Sequence, residues 1–251
     1  MQPVRGIEPR PNSCVALIQG DDRKDNIARA LSHIAADIDL SGKQRVLVKP
    51  NFVSTRLPLA ATHVDAVRAV LEFVRGRYAG PITVAEGPSS TAAAEGFQCF
   101  GYQSLVHDFD VELQDLNQDE VVPVQVYDRK LRPLQLSLAR TVVESDYRIS
   151  VGPPKTHDTV VVTLSLKNMV MGSLISRYTH ASDTSDGRQS LFRWAKRQIW
   201  DRLPLQIRCL PPFEMLEFWA MSNLQPSDKA RMHQSYELMN LNLALVAPHV
   251  W

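Results

Sequence analysis

Short apolar runs alternate with amphipathic stretches from the start of the chain to about residue 151, and the alternation predicts strands followed by helices. Cys14 to Gly20 (CVALIQG) is expected as a buried strand. Asp21 and Asp22 offer an N-cap to a helix reaching about Ile38, with Ile27, Leu31, Ile34 and Ala35 at helical spacing. Arg45 to Val53 predicts the next strand, whose buried part, Val46 to Val48, is broken by Lys49-Pro50-Asn51. Val64 to Arg77 follows as a helix with Val67, Val70, Leu71 and Val74 inward. Pro81 to Glu86 predicts a third strand, Ala92 to Ala94 open a short helix, and Gly96 and Gly101 mark breaks. Val111 to Leu116 is a further strand. Val121 to Val126 and Leu134 to Leu138 predict a hairpin, placed at a sheet edge by Pro123 and Pro133. Ala139 to Glu144 suggests a short helix before the strand Tyr147 to Val151, which Gly152-Pro153-Pro154 stops abruptly.

Beyond that strand the apolar run Val160 to Met171 is expected to be helical, putting Thr163 and Lys167 one turn apart with Asn168 beside them. From Arg188 onward the patterns are helical only, in stretches around Leu191 to Ile199, Phe213 to Met221 and Ser227 to Val246. The terminal LVAPHVW predicts a break before a new strand, hence a domain incomplete at its C-terminus. The fold class expected is α/β: a mostly parallel, Rossmann-like sheet covered by helices, with a helical C-terminal segment. The α/β part spans 14–187 and the helical segment 188–251.

Composition narrows the partners. A net charge of +1 gives no electrostatic reason for nucleic acid or an anionic membrane. The basic residues between Arg188 and Arg208 read as a solvated helix face. Three separated cysteines, without a Cys-x-x-Cys pair, predict no intrinsic iron–sulfur cluster and a reducing compartment. No signal core or membrane-length apolar run is present, so a soluble, cytoplasmic protein is expected.

The chemistry-bearing residues cluster where strands end. Lys49 and Asn51, Glu86 with Ser89 and Ser90, and Lys155, Thr156 and His157 each follow an apolar run, and Thr62-His63 follows the first of these groups. In open α/β sheets ligands bind outside the carboxyl ends of strands, so these groups are expected to share a crevice. A lysine at 167 within an apolar segment is expected to be buried and of depressed pKa, able to act as nucleophile or base. His157 suits acid–base work, and His157 with His180 suits a borderline metal. His33, His107, His233 and His249 have no partner motif and read as ordinary surface or core residues. Two classes of function fit. One is an enzyme acting on a small organic acid or anionic metabolite through Lys167, His157 and Lys155. The other is a non-catalytic anion-binding or electron-transfer partner protein, in which Lys49, Lys155 and Lys167 form a cationic cradle for an anion. An inactive fragment is the third, plainer reading.

VLVKPNFV, Thr62-His63, VAEGPSS and above all PPKTHDTVVVTLSLKNMVMGSL with a later His180 resemble the domain-of-unknown-function family 362. The resemblance covers nearly the whole chain from about Cys14. That family has no settled activity, and some members carry a ferredoxin-like module, which implies a separate ferredoxin-like partner for a chain without the cluster cysteines. The order of strand, histidine, lysine, glycine and later histidine is also similar to the N-terminal domain of nickel-pincer lactate racemases. This second resemblance implies Lys167 as the attachment point of a nickel-pincer-type nucleotide, His157 as a catalytic histidine and His180 as the metal ligand. Independently of that resemblance, Thr163 and Asn168 are expected to line the site with Lys49, Asn51, Thr62, His63, Glu86, Ser89 and Thr156. The Lys167-Asn168 pair departs from the glycine-flanked lysine of the racemases.

Overall fold

A computed structural model describes residues 14–88, 92–128, 130–157, 161–175 and 236–250. Its centre is a four-stranded sheet of β1 (Val46–Lys49), β2 (Ile82–Glu86), β3 (Glu112–Asp115) and β6 (Tyr147–Ser150), in the order β3-β2-β1-β6 with every pairing parallel. Val46, Leu47 and Val48 are all buried, as a central strand covered on both faces requires. Their side chains alternate between two cores. Leu47 and Ala85 face one, while Val46, Val48, Ile82 and Val84 face the other.

The second of these cores is closed by α1 (Arg23–His33), α2 (Val64–Arg75), α3 (Ala93–Cys99) and α4 (Gln103–Phe109). Val67, Val70, Leu71 and Val74 of α2 are buried there, the inward face its periodicity predicts. Phe52 packs edge-on against Phe97, Phe100 and Tyr102. α4 was not foreseen as a separate element. Gly101, at φ +76°, turns the chain between α3 and α4, a conformation that residues with a Cβ rarely adopt. Asp22 accepts the Asp25 N–H at 2.7 Å and so caps α1 as expected. Asp22→Ala is therefore predicted to lower stability by about 1 kcal/mol, read as a drop in thermal midpoint that Asp22→Ser does not share.

The other face carries the hairpin β4 (Val121–Tyr127) and β5 (Pro133–Ala139), α5 (Arg140–Glu144), α6 (Ser165–Ser173) and α7 (Tyr236–Val250). The hairpin forms its own two-stranded sheet, which explains how it tolerates two prolines. Asn242 of α7, fully buried, accepts from the Tyr127 N–H at 3.0 Å and donates to the Tyr127 carbonyl at 2.9 Å, docking the helix on the hairpin. At the amino end of the sheet the Asp146 carboxylate accepts the N–H groups of Gln44 and Arg45 at 2.7 and 2.8 Å. These bonds hold its pKa below the usual carboxylate value.

Three expectations are corrected. Cys14 to Gly20 forms no strand, and Val15 and Leu17 are 87% and 94% exposed; both neighbours of β1 are already taken by β2 and β6. The run from Val160 to Met171 is not one helix. Val161–Thr163 forms β8, antiparallel to β7 (Lys155–His157), and the helix begins only at Ser165. The β-branched residues at its front pair with a neighbouring strand instead of coiling, so Thr163 and Lys167 share no helix face. Lastly, Leu245 to Val250, expected as a break before a strand, lie inside α7, and Trp251 is outside the described residues. Leu243, Val246 and Val250 recur at helical spacing and all enter the core, with Pro248 accommodated near the helix end. The helical stretches expected between Arg188 and Ser235 lie outside the described residues, as do Ser89, Ser90 and His180.

No helix among the described residues is long and apolar enough to cross a membrane.

Candidate functional site

Strand order reverses at β1: the chain leaves β1 towards α2 on one face, whereas β6 leads to α6 on the other. Neighbouring strands whose exits diverge in this way open a crevice at their carboxyl ends, the usual ligand position in such sheets. Lys49 ends β1, Glu86 ends β2 and Ser150 ends β6, so the residues that the sequence places at strand ends meet there.

The buried floor of the site is a lysine–glutamate pair. Lys49 is fully buried and its ammonium donates to Glu86 Oε2, to the Pro50 carbonyl at 3.2 Å and to Asn168 Oδ1 at 3.1 Å. Three donors thus meet three protein acceptors. Burial pulls the Lys49 pKa down, and the charge and hydrogen bond of Glu86 oppose that shift. Glu86 uses its other oxygen, Oε1, to accept the Phe52 N–H at 3.3 Å. Close approach of α6 is possible only because residue 172 is glycine: a Cβ there would overlap Nζ and Cε of Lys49.

A layer of amides sits over this floor. Asn168 Oδ1 accepts from Lys49 and, at 2.9 Å, from Asn51 Nδ2. Its own Nδ2 donates to the Pro50 carbonyl at 3.2 Å and to Ser150 Oγ at 3.0 Å. Asn51 turns its Oδ1 to the Lys155 ammonium, which also donates to the Ala60 carbonyl at 3.3 Å. Thr62 is buried and structural: its hydroxyl accepts the Asn51 N–H at 2.9 Å and donates to the Val151 carbonyl at 2.7 Å, tying the β1 loop to β6.

Lys155 differs from Lys49 in one decisive respect. It is half-buried and spends two of its three N–H donors on the described residues. Desolvation lowers its pKa; Glu86 opposes the shift, and the like charge of Lys49 adds to it. Directly across the β7–β8 hairpin stands Thr163, whose buried hydroxyl has no hydrogen-bond partner among the described residues. Two residues further on α6 starts without a side-chain cap, so its dipole also favours a negative charge nearby.

The remaining expectations fall as follows. Lys167, expected to be buried, is only half-buried in the first turn of α6, where other protein groups engage it. The deeply buried lysine is Lys49. His63 is exposed and caps α2 through Nδ1, which accepts the Asp65 N–H at 3.2 Å. Thr156 is exposed on the outward side of the hairpin, and the backbone of His157 pairs with Val161. No group of three or more His, Cys, Asp or Glu side chains that could hold a metal stands together among the described residues. Sequence reasoning missed Ser150, Gly172 and the Pro50 and Ala60 carbonyls. Gly172 alone left a trace, as the small residue in an otherwise apolar helical run.

Comparison with known proteins adds the family. The structure aligns with the lactate racemase apoprotein from Thermoanaerobacterium thermosaccharolyticum at TM-score 0.43 and 14% identity, covering 61% of this chain and 37% of that one. It aligns with a structural-genomics protein from Thermotoga maritima at TM-score 0.47 and 14% identity, covering 71% of this chain and 48% of the other. The chain therefore spans less than half the length of either structure. No curated protein matches it. A family model described as a domain of unknown function, DUF362, matches residues 46–247, which take in every strand of the sheet and the whole lysine–asparagine layer, and the chain belongs to that family.

Proposed function

We propose that the crevice between β1 and β6 binds a small organic acid or other small anionic metabolite, and that Lys155 is the group that meets its negative charge. The observation that carries this reading is the contrast between the two lysines. Lys49 has no donor left, whereas Lys155, itself half-buried, keeps one N–H uncommitted among the described residues. The unpartnered Thr163 hydroxyl, opposite Lys155 in register, supplies a second donor. An ammonium whose pKa is depressed by burial also exchanges a proton more readily than an ordinary lysine, so the same group serves acid–base chemistry on a bound acid. The enzymatic reading uses Lys155 in this role.

Titration of the protein with lactate as a carboxylate probe, and with inorganic phosphate, tests the proposal by chemical-shift changes. Saturable binding is expected, weakened at least about tenfold by Lys155→Met, the loss typical of a charged hydrogen bond. Affinity should hold at low pH and fall as pH rises through the lowered pKa of Lys155, because only the ammonium attracts the anion. Thr163→Val should weaken binding too, while raising stability by about 1 kcal/mol as an unsatisfied buried hydroxyl is removed. Absence of saturable binding by either probe, or binding indifferent to Lys155→Met, overturns the reading.

A further inference from the structure

The amide layer has a polarity that its two lysines dictate. A lysine ammonium only donates, so the Asn168 atom facing Lys49 is the carbonyl oxygen. The Asn51 atom that shares this oxygen at 2.9 Å must then be its NH2. That leaves the Asn51 carbonyl pointing the other way, at Lys155. Donor and acceptor assignments agree at both ends of the chain Lys49, Asn168, Asn51, Lys155, and no reversed arrangement satisfies either lysine.

We propose that Asn168 is a positioning residue for Lys155: by accepting from Lys49 and Asn51 together it fixes which way the Asn51 amide faces, and thereby holds the Lys155 ammonium over the crevice. What Lys155 does there rests on the anion-binding reading above; how it is held does not. Asn168 itself is buried on α6, and its remaining bonds to Pro50 and Ser150 keep the amide from turning. Coupling therefore runs from the buried ion pair to the half-exposed lysine through two side chains whose orientation is forced, without contact between Asn168 and Lys155.

The test reads the lysine and needs no ligand. In protein labelled with 15N at lysine Nζ, the ammonium groups of Lys49 and Lys155 should exchange slowly enough to be seen, since each is held by two or more acceptors. Asn168→Leu removes the acceptor that anchors the Asn51 NH2 and leaves Lys155 and the Ala60 carbonyl in place, so it should speed exchange of the Lys155 ammonium several-fold and weaken its signal. Adding Asn51→Asp to that variant should restore it, because a carboxylate offers an acceptor to Lys155 whichever way it turns. A purely structural contribution of Asn168 would not be rescued in this way. A Lys155 signal undiminished in folded Asn168→Leu protein, or a weakened one that the second substitution does not bring back, overturns the proposal. Should Asn168→Leu not fold, the unmodified protein still decides: the Asn51 NH2 protons must lie against Asn168 and away from the Lys155 ammonium, and the opposite arrangement refutes it. Failure to bind lactate or phosphate would count against the anion reading alone.

Discussion

Replacing Lys49 with methionine is expected to lower folding stability by about 3–5 kcal/mol, the range for removing one partner of a buried ion pair. The loss arises mainly from what is left behind. Glu86 is 2% exposed and its Oε2 would face a thioether and a hydrocarbon core, with the Phe52 N–H as its remaining described partner. Asn168 Oδ1 would keep only Asn51 as a donor. Combining Lys49→Met with Glu86→Gln should recover at least half of the lost stability in urea denaturation, because the buried charge disappears while an acceptor for Phe52 remains. A double variant no more stable than the single would show that lost packing, not the orphaned carboxylate, dominates.

Gly172→Ala carries the second largest expected effect, a loss of about 1–3 kcal/mol from overpacking. In an ordinary setting a clash with the tip of a lysine is relieved by moving the tip. Here the Lys49 ammonium is held by Glu86, Pro50 and Asn168, and its Cε meets the added methyl as well. Relief must come from a shift of α6 itself, which also carries Met169, Val170 and Met171 into the core. Urea denaturation measures the cost. A variant as stable as the parent would show that the Lys49 side chain slides aside without losing its partners, and would weaken the view that the floor of the site is rigid.

Both effects concern a pair that the sequence shows only as two polar residues at the ends of apolar strands. That position is what made them visible: VLVK and ITVAE each end on a charged residue, and parallel strands bring such ends to one edge. The sequence does not say which lysine is buried. Lys167 stands among more apolar neighbours than Lys155 does, yet it is half-exposed because it lies in the first turn of α6, and only from Asn168 to Ser173 is the helix enclosed by the rest of the fold. Lys49, followed by a proline and an asparagine that suggest a turn, is the one sealed from water. Apolar neighbours in sequence therefore misjudge burial wherever a helix face or a covering element decides it.

The hydrophobic periodicity by itself determined the α/β class, all four central strands, the inward face of α2 and the existence of the β4–β5 hairpin (which forms a two-stranded sheet of its own instead of an edge of the central one), because each follows from local pattern and from the chemistry of proline and glycine. It also marked Lys49, Asn51, Glu86 and Lys155 as residues of one edge. Only the tertiary structure decided that Lys49 meets three acceptors whereas Lys155 meets two among the described residues, that Thr163 faces Lys155 across a hairpin instead of riding on a helix, and that Val246 to Val250 continues α7. Those outcomes depend on contacts between residues as far apart as 49 and 168, or 127 and 242. Local pattern records which side chains prefer burial or water, whereas donor and acceptor satisfaction depends on which elements the fold brings together.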